Sequence, residues 1–537
     1  MKRLVSSIIL AALVAPCVWA DDAHPLWNLA AAHKDVLRVS TLFTAQNVRD
    51  HLATDEKIDQ AIEWCKQTGV TRVFLETFRS RYWAERTTLE HARDRFRKAG
   101  FDVAGCVTTT IVGKRSTGWD LISCYTDRPT QDTLQRIFEY TASMFDLIMI
   151  DDFWFTDCEC EACKAARGDK GWAEYRCDLM VELSRTRILE PARRVNPDVR
   201  IIIKYPQWYD NFHNRGYDVV RQTEDFDWIW VGTETRDYDD PRWGGKVQYE
   251  AYYIMRWLGG IGGDKCGGGW FDPYGTTERT YLEQATQTIL ADAREMLLFC
   301  YGSLQNGTGP ANVTLLREQM PRLFDLARRV AHKPIRGVAA PKPPSSDAHG
   351  ESYVYDFVGM MGIPLVPTAT VDPEAPAAFY PVHVLKDPDF VAKFRRMLAD
   401  QKPVLITDGL AGRIPMDRML RPNLRILKVD GSPKRLLELG REELNAIRKP
   451  LLAPFGLDLD APNKVALYLF GDDLLAVENF NDEPVTVTLT FARPRLATSP
   501  LVIPGPADVA VEADGSTWIL PDLPARTLWL VTMKSVN

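Results

Sequence analysis

Histidine is scarce in this chain, with 8 in 537 residues, so a centre built mainly on imidazole has little to draw on. Cysteine is sparse as well. Ten residues are too few for a disulfide scaffold in a chain of this length, and once Cys17 in the leader is set aside the remaining odd number cannot all pair. There is no excess of basic charge. Lys and Arg number 65 against 72 Asp and Glu, a net charge of -7, which argues against a nucleic-acid partner. Past residue 20 no apolar run is long enough to span a bilayer. Internal repeats and low-complexity tracts are also absent, apart from the alternation described below.

What is there begins with "MKRLVSSIILAALVAPCVWA", a Lys-Arg start, a short apolar run and small residues at Val18 and Ala20. This pattern predicts a secretory signal peptide over residues 1–20, cleaved before Asp21, and hence a secreted or periplasmic protein. Pro16 in front of Cys17 argues against lipid attachment there. The length that remains is too great for one compact core and predicts two or three domains.

From about 30 to 335, short β-branched or apolar runs alternate with amphipathic helical stretches. The runs start at Val36, Thr71, Phe101, Asp146, Val199, Phe226, Lys265 and Glu295. Eight strands with helices between them predict a (β/α)8 TIM barrel over residues 21–335. A doubly wound open sheet would also fit the alternation, and the seventh run, "KCGGGWFD", is diluted by three glycines. The Pro- and Ser-rich stretch 332–352 reads as a boundary. Residues 336–455 then mix strands and helices as a small α/β domain, and 456–537 holds short strands with turn signals that fit a β-sandwich.

In such barrels the chemistry gathers at the carboxyl ends of the strands. Those ends carry Glu76, the pair Asp151 and Asp152, Lys204 with Tyr205, Glu234 and Asp272. Carboxylates there can equally be helix N-caps. Their aromatic neighbours, Trp154, Trp208, Trp228, Trp230, Trp243 and Trp270, suit the apolar faces of sugar rings, although Trp228 and Trp230 could equally be core. Glycoside hydrolysis needs two carboxyls, one protonated to assist the leaving oxygen and one to attack or to activate water. Asp151 or Asp152 with Glu234 or Asp272 could fill those roles. Glu76, Arg79, Trp154, Lys204, Tyr205, Trp208 and Trp270 are then candidate contacts to an oligosaccharide or other glycoside. Two further readings stay open: a barrel that binds carbohydrate without cleaving it, and a hydrolase using Asp151 and Asp152 as metal ligands.

Just past the fourth strand, Cys158, Cys160 and Cys163 form a Cys-x-Cys-x-x-Cys run. With one more sulfur, foremost Cys124 and otherwise Cys177 or Cys106, they suit a closed tetrahedral zinc site of structural type. This layout resembles glycoside hydrolase family 42, β-galactosidases with a (β/α)8 barrel, an α/β trimerisation domain and a small β domain. The resemblance assigns Cys124, Cys158, Cys160 and Cys163 to zinc and implies a trimer. It also marks a departure, because that family has glutamates where Asp152 and Asp272 stand here. The end of the fourth strand resembles barrel α-galactosidases and α-glucosidases too. They use an aspartate nucleophile there, which would make Glu234, or Asp237 near it, the acid/base.

Overall fold

The computed structural model describes residues 23–242, 244–416 and 419–536. The leader and Trp243 lie outside the described residues. Eight parallel strands form the first layer: β1 (Arg38–Phe43), β2 (Arg72–Arg79), β3 (Asp102–Val107), β4 (Leu147–Ile150), β5 (Arg200–Tyr205), β6 (Trp228–Gly232), β7 (Cys266–Phe271) and β8 (Glu295–Leu298). Each pairs with the next in parallel register, and β8 returns to β1, so the sheet closes into a barrel. Every strand run read from the sequence overlaps one of these strands. Their apolar character is nearly continuous because barrel strands are buried on both faces.

The interior is filled by Leu42, Phe74, Ala104, Cys106, Met149, Ile202, Trp230, Trp270 and Leu297. The three glycines of β7 have a packing reason: a Cβ on Gly268 would lie 2.8 Å from the Trp230 indole. Gly267 and Gly268 make room for Trp230 inside the barrel, and Gly269 makes room for Thr288. Trp228, on the same face two residues earlier, reaches the opposite, amino-terminal mouth and is partly exposed.

Helices follow the strands around the outside. Several of their starts carry side-chain caps, with Thr54 ahead of Asp55–Gln67, Asp127 ahead of Arg128–Ala142 and a Thr277–Thr280 capping box ahead of Glu278–Leu290. Among the described residues no helix is long and apolar enough to cross a membrane.

Beyond the barrel come five parallel strands: β9 (Val338–Pro341), β10 (Leu365–Thr368), β11 (Ala378–Tyr380), β12 (Val404–Thr407) and β13 (Leu424–Leu427). Their spatial order is β10-β9-β11-β12-β13, the 2-1-3-4-5 order of doubly wound, flavodoxin-like sheets. The remaining chain forms two antiparallel sheets over a shared apolar core that includes Leu452, Leu475, Val487, Trp518 and Trp529, a β-sandwich.

Candidate active site

At the carboxyl-terminal mouth of the barrel an open cavity of about 380 Å³ is lined by Arg79, Asp151, Asp152, Lys204, Glu234, Asp272 and a ring of aromatic side chains. Strand geometry explains the convergence, since side chains alternate in direction and the last inward position of each strand meets its neighbours at the mouth.

The Lys204 ammonium sits at the centre, with its side chain only 1% exposed. It donates to Glu234 Oε1 at 2.5 Å and to Asp152 Oδ2 at 3.2 Å, lies 3.8 Å from Asp151 Oδ1, and stands 4.1 Å above the Trp270 ring. Burial opposes its charge, but Asp152, Glu234 and Asp151 together hold the Lys204 pKa above its ordinary value. Glu234 gains a second donor from Gln207. With its amide oriented so that both ends are paired, Gln207 donates to Glu234 Oε2 at 2.9 Å and accepts from Arg236 Nη1 at 3.2 Å.

The two adjacent aspartates are driven in opposite directions. Asp151 receives hydrogen bonds from Arg79 Nη2 at 2.9 Å, Thr108 Oγ1 at 2.9 Å and the Asp152 backbone N–H at 2.8 Å. Burial works against its charge, yet Lys204, Arg79 and the Asp152 hydrogen bonds bring its pKa below the ordinary carboxylate value. Asp152 goes the other way. Burial raises its carboxyl well above the usual range, and neighbouring Asp151 and Glu234 add to the rise against the pull of Lys204. Asp272 is paired with Arg236. Burial nevertheless lifts its pKa to about 6, with Arg236 opposing and Glu234 adding to the shift.

Of the residues singled out from the sequence, Arg79, Asp151, Asp152, Lys204, Trp208, Glu234, Trp270 and Asp272 meet at this cavity. Trp228, Trp230 and Asp237 do not line it, and neither do three of the candidate sugar contacts. Trp154 is fully buried, its indole N–H bonded to Ser184 Oγ at 2.9 Å and its ring packed on Tyr125, so it belongs to the core. Tyr205 follows Lys204 in β5 and so points to the opposite face, where its hydroxyl meets Thr223 at 3.2 Å. Glu76 lies behind the wall, accepting from Ala45 N at 2.7 Å and from Arg79 Nε at 2.8 Å, and serves as a support for Arg79. The sequence reading missed Trp119, Phe153, Phe155, Gln207, Arg236, Tyr274 and Phe299. Gln207 and Arg236 lie two and four residues past a strand end, a signal that could have found them. Trp119 sits in a long loop after β3 and carried none.

The four cysteines also come together. Cys124, Cys158, Cys160 and Cys163 have sulfurs all within 4.8 Å of one another. The separations are 3.8 Å for Cys124–Cys160, 3.6 Å for Cys124–Cys163 and 3.7 Å for Cys160–Cys163. Thr126 Oγ1 lies 3.1 Å from the Cys163 sulfur. Cys177 is elsewhere, against the His213 carbonyl, and Cys106 fills the barrel interior.

Comparison with known proteins bears on the fold and the family. An uncharacterised protein of Saccharolobus solfataricus is 27% identical over 377 residues, a match spanning 63% of this chain and 61% of that protein's length. Among solved structures, alpha-L-fucosidase isoenzyme 2 from Paenibacillus thiaminolyticus shares the fold, with a TM-score of 0.59 at 11% identity over 93% of this chain and 99% of that one. A family described as "probable glycosyl hydrolase, catalytic domain" matches residues 23–337, more than half of the chain and the whole of the barrel. The chain belongs to this family of glycosyl hydrolase catalytic domains.

Proposed function

We propose that the protein is an exported, retaining glycoside hydrolase that cleaves O-glycosidic bonds of oligosaccharides with Asp152 and Glu234 as its carboxyl pair. The observation that carries this reading is the shared ammonium. Asp152 Oδ2 and Glu234 Oε1 both contact Lys204, so these oxygens are no further apart than the sum of the two contacts, about 5.7 Å. Retaining enzymes hold their carboxyl groups about 5–5.5 Å apart, whereas inverting ones need roughly 6.5–9.5 Å to admit a water.

The roles follow from the surroundings. Asp152, whose pKa is raised, keeps a proton and delivers it to the glycosidic oxygen as that bond breaks. Glu234, with donors on both oxygens, is furnished as an anion and attacks the anomeric carbon. Asp152, now ionised, takes a proton from the water that releases the sugar from Glu234. Asp151 stays negative beside the developing positive charge of the ring, and the Arg236–Asp272 pair offers donors and acceptors to sugar hydroxyls. Trp208 and Trp270 supply flat apolar faces. The metal-ligand reading of Asp151 and Asp152 is disfavoured by Lys204, whose fixed charge repels a divalent cation from both.

The cysteine cluster supports a structural zinc. Four sulfurs at about 2.3 Å from a tetrahedral ion stand about 3.8 Å apart, close to the separations in this cluster. Such an ion would tie the loop after β3 to the loop after β4. Asp157 reinforces that tie, bonding the Trp119 backbone N–H at 2.9 Å and Arg215 at 3.1 Å. The same cysteines support the family 42 resemblance, from which the pair departs twice, by its fourth-strand aspartate and by placing its second carboxyl, Glu234, after β6 rather than at the position of Asp272.

The test is a panel of α- and β-linked 4-nitrophenyl glycosides and disaccharides, with α-L-fucosides included because of the structural neighbour's name. Glu234→Gln is expected to abolish turnover of every substrate. Asp152→Asn should lose about 10²–10⁴-fold on disaccharides and much less on nitrophenyl glycosides, whose leaving group needs little protonation. Sugar binding without hydrolysis of any substrate by the wild type would instead establish the non-catalytic reading.

A further inference from the structure

The loop that leaves β5 reads Pro206-Gln207-Trp208-Tyr209-Asp210, and its residues divide between two domains. Gln207 and Trp208 face the cavity, and Gln207 grips Glu234. The next two residues turn into the α/β domain. The Tyr209 hydroxyl donates to Asp356 Oδ1 at 2.9 Å. Asp210, buried, accepts from His383 Nε2 at 3.0 Å and from the Tyr353 backbone N–H at 2.7 Å, and lies 3.4 Å from Lys342 Nζ. Lys342 is itself buried, stacked over the Trp257 ring at 4.9 Å, with Ser346 Oγ 3.3 Å from its ammonium.

The position of these partners in the α/β sheet gives the arrangement its meaning. Lys342 directly follows β9 and His383 lies three residues past β11. In a sheet of order 2-1-3-4-5 these two strands flank the topological switch point, and the crevice outside their carboxyl ends is where such sheets bind ligands. Here the crevice already holds a carboxylate, and the barrel supplies it. Its pKa agrees with that role: burial opposes the charge, but His383 and Lys342 hold Asp210 down at about 2.

We infer that Asp210 acts as an internal ligand of the α/β domain and is thereby a positioning residue for the active site, fixing the loop that sets Gln207 on Glu234 and Trp208 in the cavity wall. This rests on the glycosidase reading only for its kinetic consequence. The α/β domain, on this inference, completes the barrel's site within one chain, and its own switch-point crevice is closed to free anions.

The experiment is a double-mutant cycle between Asp210→Asn and Gln207→Ala on the full chain, with kcat and KM measured separately on the best substrate and folding checked by thermal melting. Misplacement of a reacting group by about 1 Å can cost on the order of 100-fold. Asp210→Asn is therefore expected to lower kcat by about 10- to 100-fold with a smaller change in KM. Gln207→Ala should do the same, and the double variant should be no worse than the poorer single. Effects that multiply, or a melting temperature that falls while kcat stands, would overturn the inference. If Asp210→Asn does not fold, Lys342→Met, which removes one partner from outside the barrel, takes its place in the cycle. Should the wild type hydrolyse no glycoside at all, the functional reading fails. The positioning claim is then decided by a crystal structure of the variant: the Gln207 amide is expected beyond hydrogen-bond reach of Glu234, and an unmoved amide refutes it.

Discussion

Replacing Lys204 by methionine keeps most of the side chain's length and removes only the ammonium that holds three carboxyls together. Glu234 at 2.5 Å, Asp152 at 3.2 Å and Asp151 at 3.8 Å all lose a cation in a place from which water is nearly excluded. Breaking a buried ion pair by removing one partner costs about 3–5 kcal/mol, so the barrel should melt several degrees earlier. The sign with pH is definite. The folded-state pKa of Lys204 is raised, so its stabilisation is fully present below the unfolded value near ~10.4 and is lost only as pH rises through the folded value. The Lys204 titration itself therefore adds no slope between pH 5 and 8, and any proton the carboxyls take up in the variant should shrink the deficit as pH falls. Activity should not be flat. Without the ammonium, the Asp152–Glu234 pair is pushed toward holding a second proton, as like charges in one site are. The acid limb of the kcat/KM profile should then move up by at least about one pH unit, each unit being 1.36 kcal/mol. Rate–pH profiles and melting curves of Lys204→Met beside the wild type provide the assay. A profile that superposes on the wild type's would refute the idea that Lys204 sets the ionisation of this pair.

Three other outcomes are expected. Trp154→Ala should destabilise by about 3–5 kcal/mol as a large core deletion, whereas Trp208→Ala, at the cavity wall, should raise KM with little change in melting temperature; the reverse pattern would contradict their placement. Asp272, whose pKa is raised to about 6, binds its proton more tightly folded than unfolded, so stability should fall as pH rises from about 4 to about 6 and level off above; melting temperatures of Asp272→Asn should lack that slope. Metal analysis should find about one zinc per chain, and its removal by a strong chelator should expose the loop carrying Trp119 to proteolysis and lower kcat/KM; chelation without either effect would sink the bracing role.

Much of the barrel was legible because parallel strands buried on both faces leave long β-branched runs, as in "RIIIKY" of β5. The acidic and lysine residues of the site were legible for a related reason: they end those runs. The period of two was available to separate Lys204 from Tyr205, since adjacent residues in a strand cannot share a face, and it explains why Tyr205 lies outside the cavity. Trp154 was not separable from Trp270 by pattern. Each stands two residues from a strand-end aspartate, Asp152 or Asp272, but past β4 the chain bends after Asp152, whose carbonyl accepts from Tyr217 at 2.8 Å, and the Trp154 indole turns back to Ser184. Asp210 was beyond reach, because its partners Lys342 and His383 lie more than 130 residues later and meet it only through the fold of a second domain.

The central claim, that Glu234 attacks the sugar while Asp152 manages the proton, is tested most directly by azide rescue of Glu234→Ala on the best nitrophenyl substrate. With the carboxylate gone, azide can enter from its side of the ring. The account predicts restored turnover and a glycosyl azide whose anomeric configuration is opposite to that of the substrate. A glycosyl azide of unchanged configuration would place the attacking carboxylate elsewhere, and undiminished hydrolysis by Glu234→Ala without azide would contradict the account outright.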